Sequence, residues 1–184
     1  MITLVDYGLG NIQAIVNIYK RLNIATRIAS GPSELAEAER IVLPGVGAFD
    51  WAMTRLNGSG MRACLDDLVL AKKRPVLGIC VGMQMMAKRS DEGMLPGLGW
   101  IDAEVRKFDE STFDQATHLP HMGWNDLTAR TFADIFRGME DGCRFYFLHF
   151  RKRQAVFYKP VQNTFRKNFS DNVWYSMEYT PGNS

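Results

Sequence analysis

Pro75-Val-Leu-Gly-Ile-Cys-Val-Gly-Met-Gln84 is a short apolar run that ends on a cysteine with a glycine two residues to either side. That spacing is the pattern of a nucleophile elbow, in which a strand turns sharply into a helix and leaves the nucleophile exposed at the turn. Gly78 and Gly82 would remove the Cβ atoms that otherwise collide where strand and helix pack together. Cys80 would then stand at the carboxyl end of a sheet and at the positive end of the following helix. There the dipole and free N–H groups lower a thiol pKa and can bind a developing oxyanion. Taken alone, Cys80 also reads as a buried structural cysteine, because cysteine is among the most buried residue types. The flanking glycines favour chemistry.

A second candidate is Pro44-Gly-Val-Gly-Ala-Phe49, whose two glycines let the backbone approach a ligand and turn an N–H group toward it. The alternative is an ordinary strand-to-helix turn; an oxyanion loop is favoured only because Cys80 is predicted to end a neighbouring strand. Gln84 lies one helical turn beyond Cys80 and can face a substrate. His121 and His149 are the candidate bases, each with a hydrogen-bonded structural histidine as its alternative.

The elements that would position these residues follow a regular rhythm. Ile2 to Asp6 reads as a strand closed by Gly8 and Gly10, and Ile12, Ile15, Val16, Tyr19 and Leu22 then recur at helical spacing. Thr26 to Ala29 is a second strand, Ser30-Gly-Pro-Ser-Glu34 opens a short helix, and Arg40 to Leu43 is a third strand. Such β-α-β-α-β order requires a parallel sheet with right-handed crossovers and places functional loops at the carboxyl ends of its strands. Met61, Cys64, Leu65, Leu68 and Val69 mark an amphipathic crossover helix. Val81 to Arg89 is predicted as the helix behind the elbow, with Met83, Met85 and Met86 as core filler.

After a loop from Gly93 to Gly99, Trp100 to Phe108 alternates as a strand and the parallel rhythm stops. Pro120 to Asn125 reads as a compact polar and aromatic loop and Arg144 to Phe150 as an aromatic strand. Periodicity is weak from Arg151 to Ser170, and Val173 to Tyr179 is a last predicted strand.

With 184 residues, 46% of them hydrophobic, the chain can fill one core, so 1–184 is read as a single domain. A net charge of +2 calls for no nucleic-acid partner, and no stretch approaches the ~18 apolar residues of a membrane span. Cys64, Cys80 and Cys143 are odd in number and widely spaced, and there are three histidines. That usage suggests neither a disulfide framework nor a metal site, and it suits a reducing cytoplasm.

Asp6-Tyr-Gly-Leu-Gly-Asn11, Leu43-Pro-Gly-Val-Gly-Ala-Phe49, Leu77-Gly-Ile-Cys-Val-Gly-Met-Gln84 and Pro120-His-Met-Gly-Trp-Asn125 occur in this order. Together they closely resemble the glutamine amidotransferase subunits of imidazole glycerol phosphate synthase, which are class I, triad-type amidotransferases of histidine biosynthesis. The similarity runs from Ile2 to about His149, and the tail from 151 to 184 diverges. The resemblance implies a flavodoxin-like open, mostly parallel α/β sheet with helices on both faces. It also implies hydrolysis of glutamine to glutamate and ammonia without a cofactor, the ammonia passing within a heterodimer to a (β/α)₈-barrel synthase partner.

Carried over to this chain, Cys80 resembles the nucleophile that forms a γ-glutamyl thioester. Gly45, Val46 and Gly47 resemble the oxyanion strand, whose amides act with that of Val81. Gln84 resembles a residue lining the glutamine pocket. Asn11, Met122, Gly123, Trp124 and Asn125 match segments that face the synthase and the ammonia passage.

The family's triad needs a His base oriented by a Glu, on a segment Gly-Val-Gln-Phe-His-Pro-Glu-Lys-Ser. Here Ser176-Met-Glu-Tyr-Thr-Pro-Gly-Asn-Ser184 stands in that place, with Thr180 for the His and Gly182 for the Glu. The expectation is glutamine hydrolysis far below that of a complete member. Two other functions fit the same motifs: ammonia supply for amidating surface-polysaccharide sugars, and a catalytically silent subunit that docks on and regulates its synthase.

Overall fold

The computed structural model describes residues 1–106, 121–126, 144–149 and 155–157, the last three as backbone strands. Four parallel strands, β1 (Ile2–Val5), β2 (Thr26–Ala29), β3 (Ile41–Gly45) and β4 (Val76–Cys80), lie in the order β2-β1-β3-β4. The chain moves outward from β1 to β2 and then returns past β1 to β3 and β4. With right-handed crossovers, that reversal places α1 (Ile12–Arg21) on one face and α2 (Pro32–Leu35), α3 (Phe49–Gly58) and α4 (Arg62–Asp66) on the other. It also makes the gap between β1 and β3 a topological switch point, where open α/β sheets bind ligands.

The two faces are filled unequally. On one, Val5, Ala29, Ile41, Leu43 and Val76 pack with Leu35, Phe49, Met53, Leu56 and Leu65 in the main core. On the other, the register runs Ile28, Leu4, Val42, Leu77 across all four strands, and only the central pair is buried. Ile28 and Leu77 at the edges are 39% and 44% exposed, and no residue of α1 is fully buried despite its amphipathic spacing.

All three strands of the predicted opening β-α-β-α-β unit form. α3 was not foreseen as a helix, and the predicted crossover helix is split into α4 and a π-helical turn, Asp67–Ala71. The predicted helix from Val81 to Arg89 stops early, so that α5 spans only Val81–Met85. Tertiary hydrogen bonds cut it short: the amides of Leu98, Ile101, Gly99 and Gly97 take the carbonyls of Met85, Met86, Ala87 and Lys88 at 2.7, 3.0, 3.1 and 2.8 Å. Lys88 then donates to Ala103, and the chain enters β5 (Arg89–Ser90) instead of a further helical turn.

β5 pairs in parallel with β6 (Glu104–Arg106), which pairs antiparallel with β9 (Ala155–Phe157). The segment expected as a polar loop at Pro120 to Asn125 is largely a strand: β7 (His121–Asp126) pairs antiparallel with β8 (Arg144–His149). Cross-strand pairing with the aromatic strand overrides the turn-like composition of His-Met-Gly-Trp-Asn, as context commonly does for β structure. The predicted strand at Val173 to Tyr179 lies outside the described residues. No helix among the described residues is long and apolar enough to cross a membrane.

Candidate active site

β4 ends at Cys80 with φ 55° and ψ −122°, and α5 begins at the next residue. Non-glycine residues rarely adopt such backbone, and holding one there costs on the order of 1–3 kcal/mol. The strain comes from a turn closed by missing side chains. A Cβ on Gly78 would collide with the backbone of Met83, and one on Gly82 with the carbonyl of Leu43. The cysteine is exposed, as a nucleophile elbow requires.

Beside it, β3 delivers the second glycine-rich turn. Gly45 pairs with Cys80 at the end of the β3–β4 ladder, and a Cβ on Gly45 would strike the backbone of Val81 and Gly82. The first turn of α5 therefore rests directly on the end of β3. Val46 comes next at 47% exposure, and Gly47 takes φ 82°, a left-handed conformation that glycine adopts without cost. Gly45, Val46, Gly47, Cys80 and Val81 thus converge from two adjacent strand ends.

The loop after β1 closes the site from the switch point. Gly8 and Gly10 have φ 86° and 102°, Gly10 packs against the Pro44 ring, and the guanidinium of Arg55 lies over Gly8. Asn11 is exposed and caps α1 by accepting from the Ala14 amide at 3.1 Å. Tyr7, 3% exposed, donates its hydroxyl to the Pro44 carbonyl at 2.7 Å and approaches the Met85 sulfur at 3.6 Å. Burial, then the charge of a Cys80 thiolate, hold the Tyr7 phenol well above its ordinary pKa.

Gln84 is fully buried on α5, and neither its amide oxygen nor its amide nitrogen has a hydrogen-bond partner among the described residues. His121 and His149 are direct cross-strand neighbours in β7 and β8. Met122, Gly123, Trp124 and Asn125 share that ladder opposite Leu148, Phe147, Tyr146 and Phe145. Thr180 and Gly182 lie outside the described residues.

Two residues near the site were missed in the sequence. Tyr7 sits inside a glycine-rich strand-end loop, a position that could have marked it. Asp50, in the first turn of α3, accepts from the amides of Met94 and Leu95 at 2.9 Å each and so ties the loop after β5 to the helix following the Gly45 turn. No local pattern announces that contact.

The family model for "Glutamine amidotransferase class-I" matches residues 3–168, most of the chain. The chain belongs to this family. Among curated proteins, this amidotransferase is 58% identical over 149 residues to "Imidazole glycerol phosphate synthase subunit HisH" of Bdellovibrio bacteriovorus. That match covers 81% of the chain and 73% of the relative. A second relative of the same description, subunit HisH 2 of Methanococcus maripaludis, is 33% identical over 190 residues, covering all of the chain and 93% of the relative. Among solved structures, a "Crystal structure of glutamine amidotransferase" aligns with TM-score 0.59 at 18% identity, over 82% of this chain and 74% of that one. At that identity the likeness speaks for the fold, and it agrees with the mostly parallel sheet of this amidotransferase.

Proposed function

We propose that this amidotransferase is the glutaminase subunit of an imidazole glycerol phosphate synthase in histidine biosynthesis. The observation that carries the catalytic reading is the pairing of Gly45 with a strained, exposed Cys80 at adjacent strand ends. The Cys80 sulfur attacks the glutamine carboxamide carbon, a C–S bond forms, and the carbonyl electron pair moves to oxygen. Amides of Gly45, Val46, Gly47 and Val81 hold that oxygen. The thiol proton passes through solvent to the departing nitrogen as collapse breaks the C–N bond and expels ammonia. Water then adds to the γ-glutamyl thioester, the C–S bond breaks, and a proton from that water returns to the Cys80 sulfur as glutamate leaves. Gln84 lines the glutamine pocket. No step calls for a metal or an organic cofactor.

The partner is a (β/α)₈-barrel synthase, docked one to one in the cytoplasm against Asn11 and Met122, Gly123, Trp124 and Asn125. Both relatives are named as imidazole glycerol phosphate synthase subunits, which supports this acceptor over the amidation of polysaccharide sugars. Thr180 and Gly182 supply neither a base nor a carboxylate, so hydrolysis is slow, and the chain also serves its synthase as a docking subunit. The test co-expresses the two chains and measures ammonia release from glutamine. Co-elution as a heterodimer and slow release abolished by Cys80→Ala are expected. Separate elution at micromolar concentration, or release that survives Cys80→Ala, overturns the proposal.

A further inference from the structure

We propose that Tyr7 is a positioning residue for the oxyanion-binding turn: its hydroxyl, by holding the Pro44 carbonyl, sets the course of Gly45, Val46 and Gly47 beside Cys80. The inference rests on the glutaminase reading and assigns that site a residue outside the reacting atoms. The geometry is specific. The phenol bridges 37 residues of sequence to donate to Pro44 at 2.7 Å, and the same oxygen lies 3.6 Å from the Met85 sulfur on α5. One side chain therefore joins the β1 loop, the end of β3 and the helix behind the nucleophile.

The leverage comes from peptide planarity. Pro44 and Gly45 share a rigid amide, so fixing the carbonyl oxygen fixes the plane from which the glycine turn departs. The backbone beyond that plane is intrinsically loose: Gly45 and Gly47 have no Cβ, and Gly47 already occupies left-handed backbone at φ 82°. Pro44 is held twice, by Gly10 against its ring and by Tyr7 on its carbonyl. Packing alone does not explain the hydroxyl. A phenylalanine fills the same volume, and burying an O–H group is unfavourable unless it is hydrogen-bonded. Burial together with the nearby Cys80 charge keeps the phenol protonated, so it remains a donor at neutral and moderately alkaline pH.

Two electrophiles separate positioning from general structure, each used on the full native chain and on Tyr7→Phe. Iodoacetamide alkylates Cys80 by displacement and creates no tetrahedral oxygen. Glutamate γ-semialdehyde adds reversibly: the C–S bond forms, the carbonyl pair moves to oxygen, and the thiol proton ends there. The resulting thiohemiacetal oxygen accepts the hydrogen bonds of the turn. Tyr7→Phe is expected to leave the alkylation rate and its pH profile within about twofold and to weaken the aldehyde about tenfold, the value of one well-placed hydrogen bond. Met85→Leu, which removes only the sulfur contact, should change neither. Site-specific 3-fluorotyrosine at position 7 keeps the shape and strengthens the donor, so it should hold the aldehyde at least as tightly as the native chain. Equal losses with both reagents, no loss with the aldehyde, or weaker aldehyde binding by the fluorinated protein overturns the positioning role. If the native chain is alkylated at Cys80 yet fails to hold the aldehyde at millimolar concentration, the glutaminase reading itself fails, and the role of Tyr7 falls with it.

Discussion

Gly45 and Cys80 are paired at the last rung of the β3–β4 ladder, and the missing Cβ of Gly45 is what lets the start of α5 rest on the end of β3. One rung thus brings together the elbow cysteine and the glycine turn proposed to bind an oxyanion, although they lie 35 positions apart in the chain (80 − 45). The relationship is steric before it is chemical, and its consequences are measurable.

Glycine replacements should fall into two groups. Gly82→Ala forces a methyl group into the Leu43 carbonyl and Gly78→Ala forces one into the Met83 backbone, so each should destabilise the protein by about 1–3 kcal/mol. Gly58, at the end of α3, has nothing within 4 Å of an added Cβ. Gly58→Ala should be neutral or stabilising by up to ~1 kcal/mol, since alanine is the better helix former. Urea denaturation midpoints decide, and equal effects at all three positions would contradict the packing described.

Cys80 should be the thiol that reacts first with a small alkylating agent. It is exposed at the elbow, whereas Cys64 is partly covered, and burial, only partly offset by Lys72, pushes its thiol pKa up. Peptide mapping after limited alkylation at pH 7 checks this. Preferential labelling of Cys64 or Cys143 would remove the elbow from consideration as a reactive site.

Activity should respond to the tail. A threonine hydroxyl is not basic near neutral pH, and positioned acid-base catalysis typically contributes ~10²–10⁴-fold. Thr180→His combined with Gly182→Glu, with the synthase bound, is therefore expected to raise ammonia release by at least ~10²-fold over the native chain. If instead the native chain hydrolyses glutamine rapidly and loses that activity in His121→Ala or His149→Ala, that histidine serves as the base and the slow-hydrolysis reading fails. A double substitution with no gain would show that the tail does not close over Cys80.

The stability of the β5–β6 edge should carry a visible acid dependence. Hydrogen bonds from Arg89, then from Arg106, hold the Glu104 carboxyl down to about 2 from an ordinary 4.5. A depressed carboxyl pKa contributes stability that is fully present above the unfolded value and is lost as pH falls through the folded value. The native protein should lose this contribution progressively between pH 4.5 and about 2, and Glu104→Gln should remove that part of the slope while leaving the neutral-to-alkaline profile unchanged. The ion pairs are solvent-exposed, so the difference should shrink in high salt. Thermal melts across that range, at two ionic strengths, test it.

What the sequence determined by itself is what depends on neighbours along the chain. The alternation of apolar runs with helical spacing announced β1, α1, β2, α2 and β3, because period and turn chemistry are local properties. The Gly-x-Cys-x-Gly spacing announced the elbow for the same reason: strain at Cys80 and the clearance of Gly78 against Met83 are decided within a few residues, although the clearance of Gly82 against Leu43 needs the neighbouring strand. The tertiary structure decided the rest. Where α5 stops depends on amides from Gly97 to Ile101, and the strand at His121 to Asp126 depends on an aromatic partner strand that begins at Arg144. The burial of Gln84 and the hydrogen bond from Tyr7 to Pro44 arise only when β1, β3 and α5 pack at the switch point. Contacts between residues tens of positions apart leave no periodic trace in the chain, so the elbow cysteine could be read from its neighbours, while the tyrosine hydroxyl held on the Pro44 carbonyl emerged only from the packed sheet.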